Sequence, residues 1–230
     1  MTQSSAINNH SLQADQIYRA QMAVLRHNFP FSLLGALLTA VLIVLVLHDV
    51  FPIRDLLLWL GLNCLLLACR FGIVLRYRRA SADQNDIRAL QRWERWTLWS
   101  TAAAGLLWGL PYAYWMYYAP FEHQMFLIVG LLTLGTGAIY AYCIHLRLLY
   151  AFEIPYFAPP FVILAMLPGS VHHILAVAGA LYLLVTLAFA HRMYRTQLDS
   201  LRMRFENTDL LKKLAVEKEA AERSNLAKSR

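Results

Sequence analysis

The sequence is short of charge. Charged residues make up 15% of the 230, only 14 of them acidic, while 59% are hydrophobic. So little charge cannot cover the surface of an ordinary soluble domain, and a mean hydropathy of +0.44 points the same way. Cysteine is scarce as well: Cys64, Cys69 and Cys143 sit inside apolar runs without metal or redox spacing, which excludes a disulfide framework and a thiolate metal site. There is no glycine loop to cradle phosphate, no ATP-lid glycine run, and no histidine after His191, so the chain carries no catalytic machinery. Nucleic-acid motifs are missing too, and the formal charge of +7 gathers beside apolar segments, where anionic lipid and topology account for it. Residues 1–28 are polar, with Asp15, Arg19 and Arg26, and lack the order of a cleaved signal peptide.

What the sequence has is long apolar runs. A span needs about 20 apolar residues to cross roughly 30 Å of hydrocarbon. Six stretches qualify: Phe29–Leu47, Ile53–Leu75, Thr97–Tyr118, His123–Ile144, Leu148–Leu167 and Ile174–Ala190. The connections HDVFP, APFE and PGSVHH are short and nearly free of positive charge, whereas the second connection carries Arg76, Arg78, Arg79, Arg88, Arg92 and Arg95. The positive-inside rule puts that connection in the cytoplasm, and an even number of spans puts both termini there. Trp93, Trp96 and Trp99 at one end of the third span and PYAYWMYY at the other read as two interfacial belts. Gly105 and Gly109, four residues apart, permit close helix contact. The expected fold is an all-α membrane protein: a cytoplasmic segment over 1–28, a six-transmembrane helix bundle over 29–191, and a cytoplasmic coiled-coil signalling helix over 192–230.

Beyond His191, the residues Leu198, Leu201, Phe205 and Thr208 follow a 3-4-3 spacing, and the seam then shifts to Leu211 and Leu214. This pattern predicts a short parallel dimer seam with a stutter, hence a homodimer. The last residues, EAAERSNLAKSR, resemble the juncture that precedes the phospho-acceptor helix in bacterial sensor histidine kinases. There, A-E-x-A-N-x-A-K-S-R leads into Phe-Leu-Ala and the histidine box; Ser224 stands where alanine is usual. The resemblance implies the input module of a two-component, hybrid-type sensor kinase in the bacterial inner membrane. It further implies ATP and Mg²⁺ as cofactors of the kinase core that follows, and a response regulator as phosphorelay partner. Six spans with minimal outer loops are also similar in plan to membrane-embedded receptors for diffusible fatty-acid or ketone signals, an architectural likeness only.

Outer loops this short cannot form a folded sensor domain, so a stimulus must be read in the bundle or from the lipid bilayer. That favours an apolar or small amphiphilic ligand. Gly130, Gly135 and Gly137 with Thr133 and Thr136 in the fourth span, and Pro155, Pro159 and Pro160 in the fifth, either line a cavity or mark close packing beside a kink. His48, Asp49, Glu122, His123, His172 and His173 contain metal-binding residue types but lack i, i+3 or i, i+4 spacing, and no metal site is expected. Two ionisable residues lie within spans, Arg70 and Glu153, each about five positions from the cytoplasmic end, roughly 7–8 Å deep. With Tyr140 in the same layer they form a candidate switch, Arg70–Glu153–Tyr140; the alternative is that Arg70 snorkels to lipid phosphate while Glu153 is protonated or wetted. The competing functions are the input module of a diguanylate cyclase, which uses similar spans and linkers, and a small transporter, for which no internal repeat is evident.

Overall fold

The computed structural model describes residues 2–80 and 87–228, with side chains described for 15–28, 30–75, 88–208 and 210–222. The side chains of Arg76, Arg78 and Arg79, residues 81–86, and the end of the juncture from Arg223 onward lie outside these described residues. Six helices account for nearly all of the rest: α1 (Thr2–Leu47), α2 (Ile53–Ala80), α3 (Ile87–Tyr118), α4 (Phe121–Tyr142), α5 (Leu146–Met166) and α6 (Ser170–Lys228). No strand occurs among the described residues. Five of the helices, α1, α2, α4, α5 and α6, are long and apolar enough to cross a membrane. The chain is a multi-pass membrane protein.

The helix not among those five, α3, contains the expected third span. Its first turns carry Arg88, Arg92, Glu94 and Arg95, and its apolar surface is largely Trp, Tyr and Ala, which score low beside Leu and Ile on a hydropathy scale. The helix breaks follow from local chemistry. Val50 and Phe51 both donate to the Leu47 carbonyl, and Pro52, which has no N–H to lose, precedes the first turn of α2. Pro120 stands at the N-cap of α4. Gly169, at φ +108°, makes the turn into α6 in a conformation that side chains resist.

Backbone packing divides the chain into two units, residues 21–194 and residues 1–20 together with 195–230. In the first, the most extensive helix pairing is α3 with α5. It forms because α3 presents bare backbone. A Cβ at Gly105 would lie 2.6 Å from the Phe152 carbonyl oxygen and 2.7 Å from Pro155 Cγ, and one at Gly109 would overlap the Pro155 carbonyl and sit 2.9 Å from that of Tyr156. Pro159 and Pro160, lacking N–H groups, are the residues that would otherwise bond those two carbonyls in an α-helix. The oxygens released by the prolines therefore point at the Gly109 Cα, where Cα–H···O contact gives them a weak partner. The expected small-xxx-small motif is thus a seam within one chain.

Aromatic rings fill the space beside that seam. Trp59 meets Trp108 and Trp115 edge-on at 5.1 and 4.9 Å, and its Nε1 donates to the Leu107 carbonyl, fixing α2 to α3. Phe152 stacks on Tyr156 at 5.1 Å, and Tyr156 donates to the Leu131 carbonyl, fixing α5 to α4. Tyr182 brings α6 in by donating to the Leu132 carbonyl at 2.9 Å, while Gly179 leaves room for the Phe161 ring. The expected belts divide: Trp96, Trp99, Tyr114, Tyr117 and Tyr118 are exposed, but Trp93, Tyr112 and Trp115 are buried.

In the second unit, the portion of α6 after Tyr194 is helical to Lys228. Leu198, Leu201 and Phe205 are half-buried, whereas Leu211 and Leu214 are exposed by 69% and 64%.

Candidate functional site: a cavity with a buried arginine

Within residues 21–194 lies a cavity of about 520 Å³, a size typical of small-molecule sites. α1 contributes Phe31, Gly35 and Thr39, α2 contributes Asn63, Leu66 and Arg70, α3 contributes Ala104 and Trp108, and α4 contributes Thr133, Gly137 and Tyr142. Phe152 of α5 closes one wall. Phe31 and Tyr140, which also line it, are 78% and 75% exposed, so the cavity opens sideways onto the outer surface of the bundle beside α1 and α4. Its walls are mainly aliphatic and aromatic. Among the described residues, Arg70 is the one charged residue of the lining and no acidic residue belongs to it.

Arg70 is buried, 4% exposed. Its Nη2 donates to Thr101 Oγ1 at 3.0 Å and to the Tyr142 hydroxyl at 2.7 Å, so α3 and α4 jointly set the position of a guanidinium supplied by α2. Seven residues earlier, one cavity length up the same helix, Asn63 is buried and donates to its own helix at the Trp59 carbonyl.

The expected Arg70–Glu153–Tyr140 network does not form. Glu153 is fully buried, but neither carboxylate oxygen has a hydrogen-bond partner, and no ion pair joins it to Arg70. Its Oε2 instead lies 3.6 Å from where a Cβ on Gly135 would be. Tyr142 takes the place assigned to Tyr140, because two helix positions turn a side chain by about 200°. Gly135 accommodates the Phe157 ring rather than the cavity, and Pro155 packs on the α3 glycines. Thr136 faces α6: its Oγ1 is 2.6 Å from the Tyr182 hydroxyl. Of the fourth-span residues named in advance, Gly137 and Thr133 do line the cavity, and a Cβ on Gly137 would meet nothing within 4 Å.

Polar clusters bind the helix ends. Where α4 turns into α5, His145 Nε2 is 3.1 Å from Glu94 Oε1 of α3, with Arg147 Nη1 at 3.9 Å from the same oxygen. Burial pushes the His145 imidazole below the ordinary histidine range, against the opposing pull of the Glu94 carboxylate. Gln21 of α1 donates to the Ile144 carbonyl of the same turn. At the opposite end, Gln124 donates to the carbonyls of Met116 and Ala119, and its Oε1 is 2.9 Å from His172 Nε2. His48 pairs with Asp49 at 3.1 Å on the surface. Among the described residues no three metal-binding side chains converge.

Sequence reasoning found Arg70 because an arginine within an apolar run stands out. It missed Asn63, Thr101, Trp108 and Tyr142, whose roles depend on how each helix is rotated about its axis. No family model, curated protein or solved structure matches the chain.

Proposed function

We propose that this chain is the membrane-embedded input module of a sensor histidine kinase, passing an apolar or amphiphilic signal, or the state of the bilayer, to a dimeric cytoplasmic kinase core. In this reading all six helices span a bacterial inner membrane, α3 included because its tryptophans and tyrosines suit the two interfaces. Both termini are cytoplasmic, and two copies pair in parallel along residues 198–230. The observation that carries the reading is α6: one helix without proline holds Tyr182 and Gly179, which pack against α4 and α5, and the residues Leu198, Leu201 and Phe205, and it reaches Lys228 in the juncture. An uninterrupted helix conveys a rotation or tilt from one end to the other, and a two-state packing of the bundle supplies the signal to convey. ATP, Mg²⁺ and a response regulator act on the kinase core, joined through α6. A diguanylate cyclase would accept the same input, and the attached catalytic domain separates the two.

The test is phase. In the full-length protein, insertion of one to four alanines after Lys213 rotates whatever follows by about 100° per residue. Autophosphorylation in inner-membrane vesicles should rise and fall with insert length, recovering toward the parental level near four residues. Output that is flat across the series, or cyclic-dinucleotide synthesis in place of phosphorylation, would reject the kinase-input reading.

A further inference from the structure

The cavity deepens this reading and depends on it for its membrane setting. A molecule entering from the side, past Phe31 and Tyr140, passes from lipid into an apolar chamber without crossing water. An anionic head group suits Arg70, which lies on the lining, because the planar fork of a guanidinium binds a carboxylate through charge-assisted hydrogen bonds. The hydroxyls of Thr101 and Tyr142, both on Nη2, fix the fork before anything binds. Among the described residues the lining offers one cationic residue, which matches a monoanion better than a doubly charged phosphate. From Arg70 the chamber extends past Leu66 and Trp108 to the level of Asn63, seven residues along α2 or about 10 Å. That depth takes one hydrocarbon chain of medium length.

We infer that this cavity binds a single-chain amphiphile with a carboxylate head, the head at Arg70 and the chain lying between α1, α2 and α4 against Trp108. Trp108, 3% exposed and on the cavity wall, reports occupancy directly. The purified chain in nanodiscs is titrated with ω-bromooctanoate and with the corresponding ω-bromo-alcohol, whose bromine quenches indole fluorescence at short range. Saturable quenching is expected in the parent and is lost in Trp108→Phe, with the acid binding about tenfold more tightly than the alcohol. Arg70→Gln should bring the two affinities together, and Tyr142→Phe, which removes one of the hydroxyls fixing the guanidinium, should narrow the gap severalfold. Gly137→Leu, whose side chain starts in open space, should fill the chamber and abolish saturable quenching by both probes. Equal affinity of acid and alcohol in the parent, or undiminished quenching in Gly137→Leu, overturns the assignment. Displacement of the acid by dioleoyl phosphatidate in the nanodisc, mole for mole, would assign the site to a bilayer phospholipid and also overturn it. The phase series with α6 insertions judges the kinase-input reading separately: binding with flat phase rejects that reading alone, and phased output without binding rejects the carboxylate site alone.

Discussion

At Gly109 the absence of a side chain is a structural requirement. The position holds the Cα against two carbonyl oxygens, so the first carbon of any side chain would collide with backbone, which cannot rotate away as a flexible side chain would. Gly61 of α2 is the matched opposite: a Cβ there meets nothing within 4 Å. Replacing a helical glycine by alanine normally favours the helix by roughly 0.5–1 kcal/mol, and overpacking costs typically 1–3 kcal/mol. Gly61→Ala should therefore leave the thermal midpoint in detergent unchanged or slightly higher, while Gly109→Ala should lower stability by about 1–2 kcal/mol. Equal behaviour of the two variants would show that the α3–α5 seam is looser than described. The same scale explains what could be read in advance. Arg70 and Glu153 were legible as costly groups at matching depth, because depth follows from counting residues. Their partners were not, because azimuth changes by about 100° with each residue and depends on which face a neighbour covers. Gln124 was overlooked for a related reason: a glutamine near a helix start looks like a solvated residue, yet its amide ties α3, α4 and His172 together.

At the scale of elements, helix existence was legible from length and hydropathy, and the Gly105–Gly109 motif correctly announced close packing. What composition did not convey was the partner of each face. The fourth-span glycines, grouped in sequence, separate in space: Gly137 opens on the cavity and Gly135 lies under Phe157. A row of small residues thus served two different surfaces of one helix. In α6 the residues of the expected seam fall into two groups, half-buried at Leu198, Leu201 and Phe205 and exposed at Leu211 and Leu214. Exposed leucines on a charged helix are available to a second copy. Cysteines introduced singly at Leu201, Leu211 and Leu214 should cross-link between subunits in membranes, giving a dimer band on a non-reducing gel. Failure at all three positions would exclude a paired tail.

At the scale of the whole molecule, the membrane class was legible from the shortage of charge, and the structure supplies five helices fit to cross. The sixth crossing rests on α3, whose aromatic surface suits an interface and whose seam with α5 encloses it in the bundle. Reporter fusions after Glu122 and Pro168 should both report the periplasmic side, and a fusion at Asn85 the cytoplasmic side. A fusion at Asn85 that agrees with the other two would remove α3 from the list of spans and place the termini on opposite faces. The seam also has a mechanical consequence. Two helices whose backbones touch at Gly105 and Gly109 cannot turn against each other without collision, so α3 and α5 form a stator. The cavity lies between that fixed frame and α1, α2 and α4, which are tied in through side chains, among them Trp59 and Arg70 for α2, Gln21 for α1, and Tyr156 and Gln124 for α4. Any guest wedged into the chamber works against one immovable wall. The displacement it causes must appear in the helices on the other side.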